Sequence, residues 1–579
     1  MSLSRREFLQ MLAVASTAGL ALPGCSNEGW VKGGRPSTDL YDVPVFGNVS
    51  LLHFTDTHAQ VLPVYFREPN ENIGVGSHTN KPPHLVGEHF LKFYGIDAGT
   101  HRAYASTYLD FTEAARRYGK VGGFAHLATL IRRMRDARTG RNLLLDGGDT
   151  WQGSATALWT RGQDMIDAQK LLGIDIMTGH WEFTYGADRV KYVVDHDFKQ
   201  SHIEFLAQNV FDDTWGDPIF KPYVIRELNG VPVAVIGQAF PYTPIAHPRY
   251  LTPDWTFGIH DHHMQKMVDK ARAEGAQVVV VLSHNGMDVD LKMATRVRGV
   301  DVILGGHTHD VVPAPVIVPN AGGRTLVINS GTNTKFLSVL DLEVKGGKMT
   351  DYRYHLLPIF ADLIEPDAAM TAHIERSRAP FKEKLAEKLA VTDSLLYRRG
   401  NFNGTFDQVI VDAMREVQDA PIALSPGFRW GTSLLPGDTI DMEHLMDQSA
   451  ITYPNTDVNE MTGAELKQYL EAVADNLFNR DPYLQMGGDM VRTGGIRYAM
   501  NPTRTMGHRI SDLEVNGVPV RANKRYKVAG WASVAKPLTT RPIWEVVAEY
   551  LRDKKTVTID RPDTPVLKGI AGNKGYVAL

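Results

Sequence analysis

The feature that most constrains this chain is a repeated unit, a short apolar run rich in leucine or β-branched residues that stops at a Gly, Asp or His. Residues 49–54, 142–145, 174–178, 231–236, 278–282, 302–304 and 325–329 all have this form. Short runs that are apolar on both faces read as strands covered on both sides, and amphipathic stretches such as 124–135 and 262–274 supply the covering helices. This alternation predicts an α/β layered domain over 26–360, because parallel strands need helical crossovers between them. The charged, helix-friendly stretch that follows has Phe381, Leu385 and Leu389 at four-residue spacing and Pro380 as an interruption. It predicts a helical linker over 361–392. Beyond it a helix at 406–417, a strand at 421–424 and a helix at 463–477 define a second α/β domain, 393–579. The one long stretch without periodicity, 61–119, is rich in Gly, Asn, Pro and His, as expected of a functional loop or lid.

Composition narrows the chemistry. The chain carries 62 Lys and Arg against 66 Asp and Glu, a formal net charge of −4, with both signs dispersed. No basic face is available for a phosphate backbone, which argues against a nucleic-acid partner. With a single cysteine, Cys25, there is no disulfide framework, Cys-rich zinc site or chain-ligated iron–sulfur cluster. Any metal must therefore be held by His, Asp, Asn or Gln.

Residues 1–25 read as an address rather than structure. Arg5-Arg6 precede a charge-free apolar run from Met11 to Gly24, the order of a bacterial secretory signal of the twin-arginine type. Export to the periplasm in a folded state is the expectation. Leu22-Pro23-Gly24-Cys25 has the outline of a lipobox, so the mature chain is either anchored by lipid at Cys25 or cleaved nearby. No later apolar run is long enough to span a bilayer.

Five motifs stand directly after predicted strands, where open α/β sheets present their ligands. They are Thr55-Asp56-Thr57-His58, Asp146-Gly147-Gly148-Asp149, Gly179-His180-Trp181-Glu182, Ser283-His284-Asn285-Gly286 and Gly305-Gly306-His307-Thr308-His309. Residues i and i+2 leave a strand on the same side, so Asp56 and His58 can reach one cation. The glycines before Asp149 allow close backbone approach. A single Asp-x-His carries little, but five such motifs at strand ends in one order carry a great deal.

Together these motifs resemble the calcineurin-like metallophosphoesterase signature, and with the second domain they resemble the bacterial 5′-nucleotidase family. The resemblance implies a four-layer α/β-β/α sandwich followed by a smaller α/β substrate-binding domain. It also implies two metal ions, one held by Asp56, His58, Asp149 and His309 and the other by Asp149, His180, His284 and His307. Two ions sharing Asp149 would activate a water between them.

Departures from the nucleotidase pattern are informative. Nucleotidases have Gly-Asn-His-Glu where this chain has Gly179-His180-Trp181-Glu182, and Trp181 cannot act as an acid toward a leaving alkoxide. The aromatic nucleotide clamp is shortened to Tyr453-Pro454-Asn455-Thr456. The His-Trp motif, the 61–119 insertion and Ser425-Pro426-Gly427-Phe428-Arg429-Trp430-Gly431 are similar to the SoxB thiosulfohydrolase family of the bacterial Sox sulfur-oxidising system. That resemblance implies a hydrolase with two Mn(2+) ions acting on the carrier SoxYZ, releasing sulfate from a sulfane-sulfonate on the SoxY C-terminal cysteine. A cleft between the domains would admit the carrier's flexible tail. The alternatives are a periplasmic 5′-nucleotidase or cyclic-nucleotide phosphodiesterase, and a periplasmic binding protein that uses the metals only to recruit an oxyanion.

Three further residues are assigned to catalysis. Arg429 would clamp the sulfonate with its planar fork, the alternative being a surface salt bridge. Gln152 would donate to the same oxygens or cap a helix. Trp181 would form a wall of the site or serve in packing. The donor set itself suits manganese, iron or zinc, and manganese is favoured by loading before folded export. Arg492 and Arg497 are read as solvated arginines about a glycine turn, His262 and His263 as surface residues, and Asp438 as a turn residue.

Overall fold

A computed structural model describes residues 39–578. The predicted strands assemble into two six-stranded mixed sheets. In the first, Val49–Phe54, Asn142–Asp146, Ile176–Met177 and Glu204–Phe205 run parallel, and the antiparallel pair Phe336–Lys345 and Lys348–Pro358 extends the other edge. In the second, Val231–Gln238, Val278–Ser283, Val302–Gly305 and Gly323–Asn329 are parallel, flanked by antiparallel Tyr223–Leu228 and Val316–Asn320.

The sheets pack face to face, and the strand Val278–Ser283 shows why its run is wholly apolar. Val278, Val280 and Leu282 enter the core between the sheets with Val49, Leu51, Leu143 and Leu145. Val279 and Val281 point the other way and pack with Met264, Val268 and Met293 of the helices Asp261–Ala273 and Met287–Arg296. Alternate side chains thus serve two different cores, and each fully buried Val or Leu contributes about 1.5–3 kcal/mol. The helices Phe124–Asp136, Gln163–Leu172 and Ala368–Arg378 pack on one another and complete the helix–sheet–sheet–helix stack.

The second domain has two four-stranded sheets and a three-stranded one. The helices Thr405–Val417 and Ile543–Lys554 pack together over a core that also takes in Ala155 and Trp181 of the first domain. The helix Gly463–Phe478 lies over the core between the two four-stranded sheets. Among the described residues no helix is long and apolar enough to cross a membrane.

Two expectations change. Of the stretch read as a helical linker, helices occupy Ala368–Arg378 and Lys382–Leu385, broken at Pro380, whereas Lys388–Thr392 is a strand. Leu389 therefore lies on a sheet and not on the helical face shared by Phe381 and Leu385. Its strand pairs with Thr439–Asp441 and Thr556–Val557, contacts too distant in sequence for local periodicity to reveal. The segment 61–119 is not a free loop. It holds the helices Gly87–Tyr94, His101–Ser106 and Phe111–Tyr118, each shorter than the three turns at which a pattern becomes legible. Its first part straps the two domains together. Tyr65 bridges Ser433, Glu71 bridges Tyr576, and the Asn72 and Val86 amides donate to the carbonyls of Gly575 and Lys574 at 2.7 and 3.1 Å. The twin-arginine segment and Cys25 lie outside the described residues.

Candidate metal centre

All five motif loops leave the carboxyl ends of parallel strands and converge beneath the second domain. Two groups form there, Asp56, His58, Asp149 and His309, and Asp149, His180, His284 and His307, with the ligand atoms of each group within 4.8 Å of one another. These are the two sets that the family resemblance implies, and every member is buried.

The backbone is bent to achieve this. Asp56, His58, Asp149, His307 and His309 all have φ between 46° and 72°. This left-handed conformation costs an ordinary L-residue about 1–2 kcal/mol and is characteristic of functional sites. Close packing holds it. A Cβ on Gly147 would collide with Thr55 Oγ1, and one on Gly306 would lie 2.5 Å from the same atom and 3.0 Å from Asp56 Oδ2. Only glycine permits these strand ends to meet.

Asp149 is the hinge of the arrangement. Its Oδ1 accepts the Trp181 amide at 2.8 Å, while Oδ2 lies 3.1 Å from His180 Nδ1, 3.0 Å from His284 Nε2 and 3.8 Å from His58 Nε2. Asp56 Oδ1 lies 3.2 Å from His309 Nε2 and 3.6 Å from His284 Nε2, and Asp56 accepts the His307 amide. The His58 and His309 Nε2 atoms stand 3.1 Å apart.

The donor set fits divalent cations. His284 Nδ1 lies 2.7 Å from the Gly147 carbonyl, to which it donates, so Nε2 presents its lone pair to two carboxylates. Lone pair against carboxylate is repulsive unless a cation lies between them. Where no cation is bound a proton on Nε2 takes its place: burial opposes a charge on His284, yet Asp149 and Asp56 outweigh it and raise its pKa to about 10. Burial holds His58, His180, His307 and His309 below the ordinary imidazole range, leaving their lone pairs available at neutral pH. Burial also works against the charge on Asp149, but His180 and His284 keep its pKa well below the usual carboxylate value. Oxygen and imidazole donors without thiolate suit Mn, Fe or Zn.

The residues assigned to catalysis fall close by. Arg429 is buried, with Nη2 3.2 Å from His307 Nε2, which excludes the surface salt bridge. His307 Nε2 is also 3.2 Å from the Met486 carbonyl. Trp181 is 5 % exposed and boxed by aromatic rings, His247 at 4.3 Å, Trp430 at 4.9 Å, Phe428 at 5.3 Å and parallel Tyr453 at 6.0 Å. It is at once wall and packing. Gln152 is buried and donates to the Ala450 carbonyl of the second domain at 2.6 Å. The next helix is capped by Ser154 instead, which removes the capping reading of Gln152.

Several residues escaped sequence reasoning. Glu182, fully buried, accepts four backbone amides: Thr150 and Trp151 at Oε1 (2.7 and 3.3 Å), His180 and Asp149 at Oε2 (2.8 and 3.3 Å). It ties the second motif loop to the third, and its place inside the third motif was the available signal. Arg399 is buried, with Nη2 donating to the Thr308 carbonyl at 3.0 Å. Arg399 and Arg429 both line one cleft with Asn72, His84, Asp288 and Asp489. Trp430 stacks on His58 at 4.9 Å, and His247 packs on His180 at 4.8 Å. Trp430 lies inside the 425–431 stretch, which was its available signal, whereas His247 carries no local pattern.

The minor assignments divide. Asp438 is a turn residue, accepting the Leu435 amide at 2.8 Å. His262 is exposed, but His263 is half-buried with Nδ1 2.5 Å from Gln208 Oε1. Arg497 is exposed, whereas Arg492 is fully buried against Asp489 at 3.0 Å and Asp407 at 3.2 Å. A local glycine turn gave no hint of these partners from the helix start at Asp407 and the loop at Asp489.

Comparison with known proteins accords with this geometry. Residues 49–311 match the calcineurin-like phosphoesterase family and residues 389–537 match the 5′-nucleotidase C-terminal domain family. The bovine (Bos taurus) 5′-nucleotidase is 26 % identical over 456 residues, 70 % of this chain and 76 % of the bovine one. The structure of a 5′-nucleotidase precursor from Thermus thermophilus, 22 % identical, shares the fold at a TM-score of 0.70 over 90 % of this chain and 99 % of its own. The Thermus thermophilus sulfate thiohydrolase SoxB is 37 % identical and superposes at a TM-score of 0.86, over 91 % of this chain and 98 % of its own. A two-domain match at that identity, with both ligand sets in place, makes the chain a member of the SoxB family within the calcineurin-like metallophosphoesterase and 5′-nucleotidase superfamily.

Proposed function

We propose that this protein is an exported thiosulfohydrolase, using two manganese ions to release sulfate from a cysteine-bound sulfane-sulfonate on a SoxYZ-type carrier. The observation that carries the reading is Trp181, which occupies the acid position of the nucleotidase motif and is locked in an aromatic box. In the reaction a water oxygen bonds to the sulfonate sulfur and the S–S bond breaks. The electron pair leaves with the persulfide, and sulfate and two protons are released. A persulfide is a weak base and leaves without an acid, whereas an alkoxide does not.

Bound cations would supply charge to neutralise the sulfonate oxygens and to acidify water. The chain's own residues do the rest. Arg429, buried beside His307, presents a planar fork to the anionic group, and Arg399 adds a second positive charge to the same cleft. Trp181, Phe428 and Trp430 exclude bulk water from one side, which strengthens each electrostatic contact. Residues of the strap 61–86 and of the loops around Arg399 and Gly487 line the cleft through which a carrier's extended tail would enter. Folded export through the twin-arginine route belongs to the same proposal.

Phosphomonoester hydrolysis is the second reading, favoured by relatives that are 5′-nucleotidases. The test is sulfate release from a carrier loaded with cysteine S-thiosulfonate, beside AMP and bis-p-nitrophenyl phosphate, all with added manganese. Sulfate release with little phosphoesterase activity is the expected result. Strong AMP hydrolysis without sulfate release would return the chain to the nucleotidases, and no turnover of any substrate would favour a binding protein.

A further inference from the structure

An imidazole that ligates a metal through one ring nitrogen carries an N–H on the other, and that N–H needs an acceptor of its own. In the nucleotidase pattern position 180 is an asparagine, so the need arises with His180. Its Nδ1 is turned to Asp149 Oδ2 at 3.1 Å, while its Nε2 is buried without a protein partner. A second buried imidazole stands against it. His247, in the turn after the helix Thr243–Ala246, has its ring centroid 4.8 Å from that of His180. His247 Nδ1 lies 3.0 Å from Tyr453 Oη, and its Nε2 is likewise buried without a protein partner.

We propose that His247 is the outer hydrogen-bond partner of His180, so that a chain from His180 Nε2–H through one water to His247 Nε2, and from His247 Nδ1–H to Tyr453 Oη, fixes the second metal ligand set. The inference rests on the two-ion reading of the centre. It makes His247 and Tyr453 positioning residues and gives the exchange of asparagine for histidine a structural counterpart on two other elements. It also couples the domains, because Tyr453 belongs to the second and is parallel to Trp181 of the first. Two unpartnered nitrogens on contacting rings are unusual, since the large majority of buried polar side-chain atoms are satisfied.

The test is equilibrium dialysis of metal-stripped full-length protein against Mn(2+), with circular dichroism as the check on folding. Wild type is expected to bind two ions. His247→Phe, which keeps the ring and removes both nitrogens, should weaken one ion about 10–100-fold and leave the other unchanged. His247→Gln, which retains an acceptor, should come close to wild type, and Tyr453→Phe should weaken the same ion to a smaller extent. Should His247→Phe fail to fold, His247→Leu and Tyr453→Phe carry the comparison. His247→Phe, or both of those substitutes, binding two ions with wild-type affinities would overturn the inference while leaving the two-ion centre intact. Wild type binding fewer than two ions would instead overturn the two-ion reading and the inference with it.

Discussion

Glu182 offers the sharpest test of how the centre is held. Its carboxylate accepts four backbone amides, two short at 2.7 and 2.8 Å and two longer at 3.3 Å. All four come from the loops that carry Asp149 and His180. Glu182→Gln keeps size and shape but turns one acceptor oxygen into a donor, so at least one short amide faces another N–H. Losing one charge-assisted hydrogen bond costs about 1.5–3 kcal/mol, and leaving a buried amide unpaired adds about 1–3 kcal/mol. The expected destabilisation is therefore about 3–5 kcal/mol, a fall in melting temperature on the order of 10 °C for a domain of this size. Calorimetry on metal-stripped protein isolates the effect, since bound ions would otherwise stabilise both forms by mass action. The same variant should lose affinity for the ion shared by Asp149 and His180. A melting temperature within about 2 °C of wild type, with both ions retained, would refute the view that this carboxylate organises the loops.

Three other outcomes follow from the geometry. Gly306→Ala would bring a Cβ within 2.5 Å of Thr55 Oγ1 and 3.0 Å of both Asp56 Oδ2 and His284 Nδ1, so it should sharply reduce bound metal; unchanged metal content would count against the tight strand-end packing. Arg429→Lys should lower sulfate release about 100-fold while both ions stay bound, and a loss of metal instead would make Arg429 a structural residue. The strap should respond to pH through Asp288, which lies 3.0 Å from both His78 and His84. Burial opposes a charge on either partner, yet Asp288 raises the His84 pKa, and His84 and His78 hold Asp288 well below the usual carboxylate value. The His84 contribution is complete below its unfolded value of about 6.5 and is lost as pH rises through the raised folded value. The Asp288 contribution is present above about pH 4 and is lost as pH falls through its lowered value. Hydrogen exchange across 72–86, corrected for intrinsic rates, should be slower at pH 6 than at pH 9 in wild type and show no such difference in His84→Asn.

The sheets were legible because their strands are covered on both faces. A run such as 278–282 has no polar face to confuse with a helix, and its end at Ser283-His284 marks where the sheet presents a ligand. The ligand sets were legible for a related reason. Asp-x-His, Gly-Gly-His-x-His and the glycines beside them are local requirements of a sharply bent strand end, and the left-handed φ values at Asp56, His58, Asp149, His307 and His309 are the physical form of that requirement. Everything that depends on long-range contact stayed hidden. The strand Lys388–Thr392 is defined by a partner near residue 556, and the burial of Arg492 by carboxylates at 407 and 489. Its surroundings in sequence describe neither.

The same division bears on what separates phosphate from sulfonate chemistry in one fold. The catalytic domain supplies the metal ligands from local motifs, and these motifs alone would serve either reaction. On the proposed reading, discrimination would lie in what surrounds them: Trp181 at the acid position, Trp430 stacked on His58, His247 against His180, and Tyr453 hydrogen-bonded to His247. Trp181, Trp430 and Tyr453 lie inside stretches that the sequence singles out, and His247 does not. Trp430 and Tyr453 come from the second domain and His247 from a turn, and they meet only because Trp181 and Ala155 are buried in the second domain's core. An apolar junction of this kind disfavours separation of the domains, since opening it would expose several aromatic rings, each burying about 150–250 Å². A domain pair held shut in this way suits a substrate that threads into a fixed cleft better than one that must be enclosed by domain rotation. On the proposed reading the thin end of a carrier protein would meet that condition, whereas the place of the nucleotidase clamp holds Tyr453, whose ring packs against Trp181 and His247.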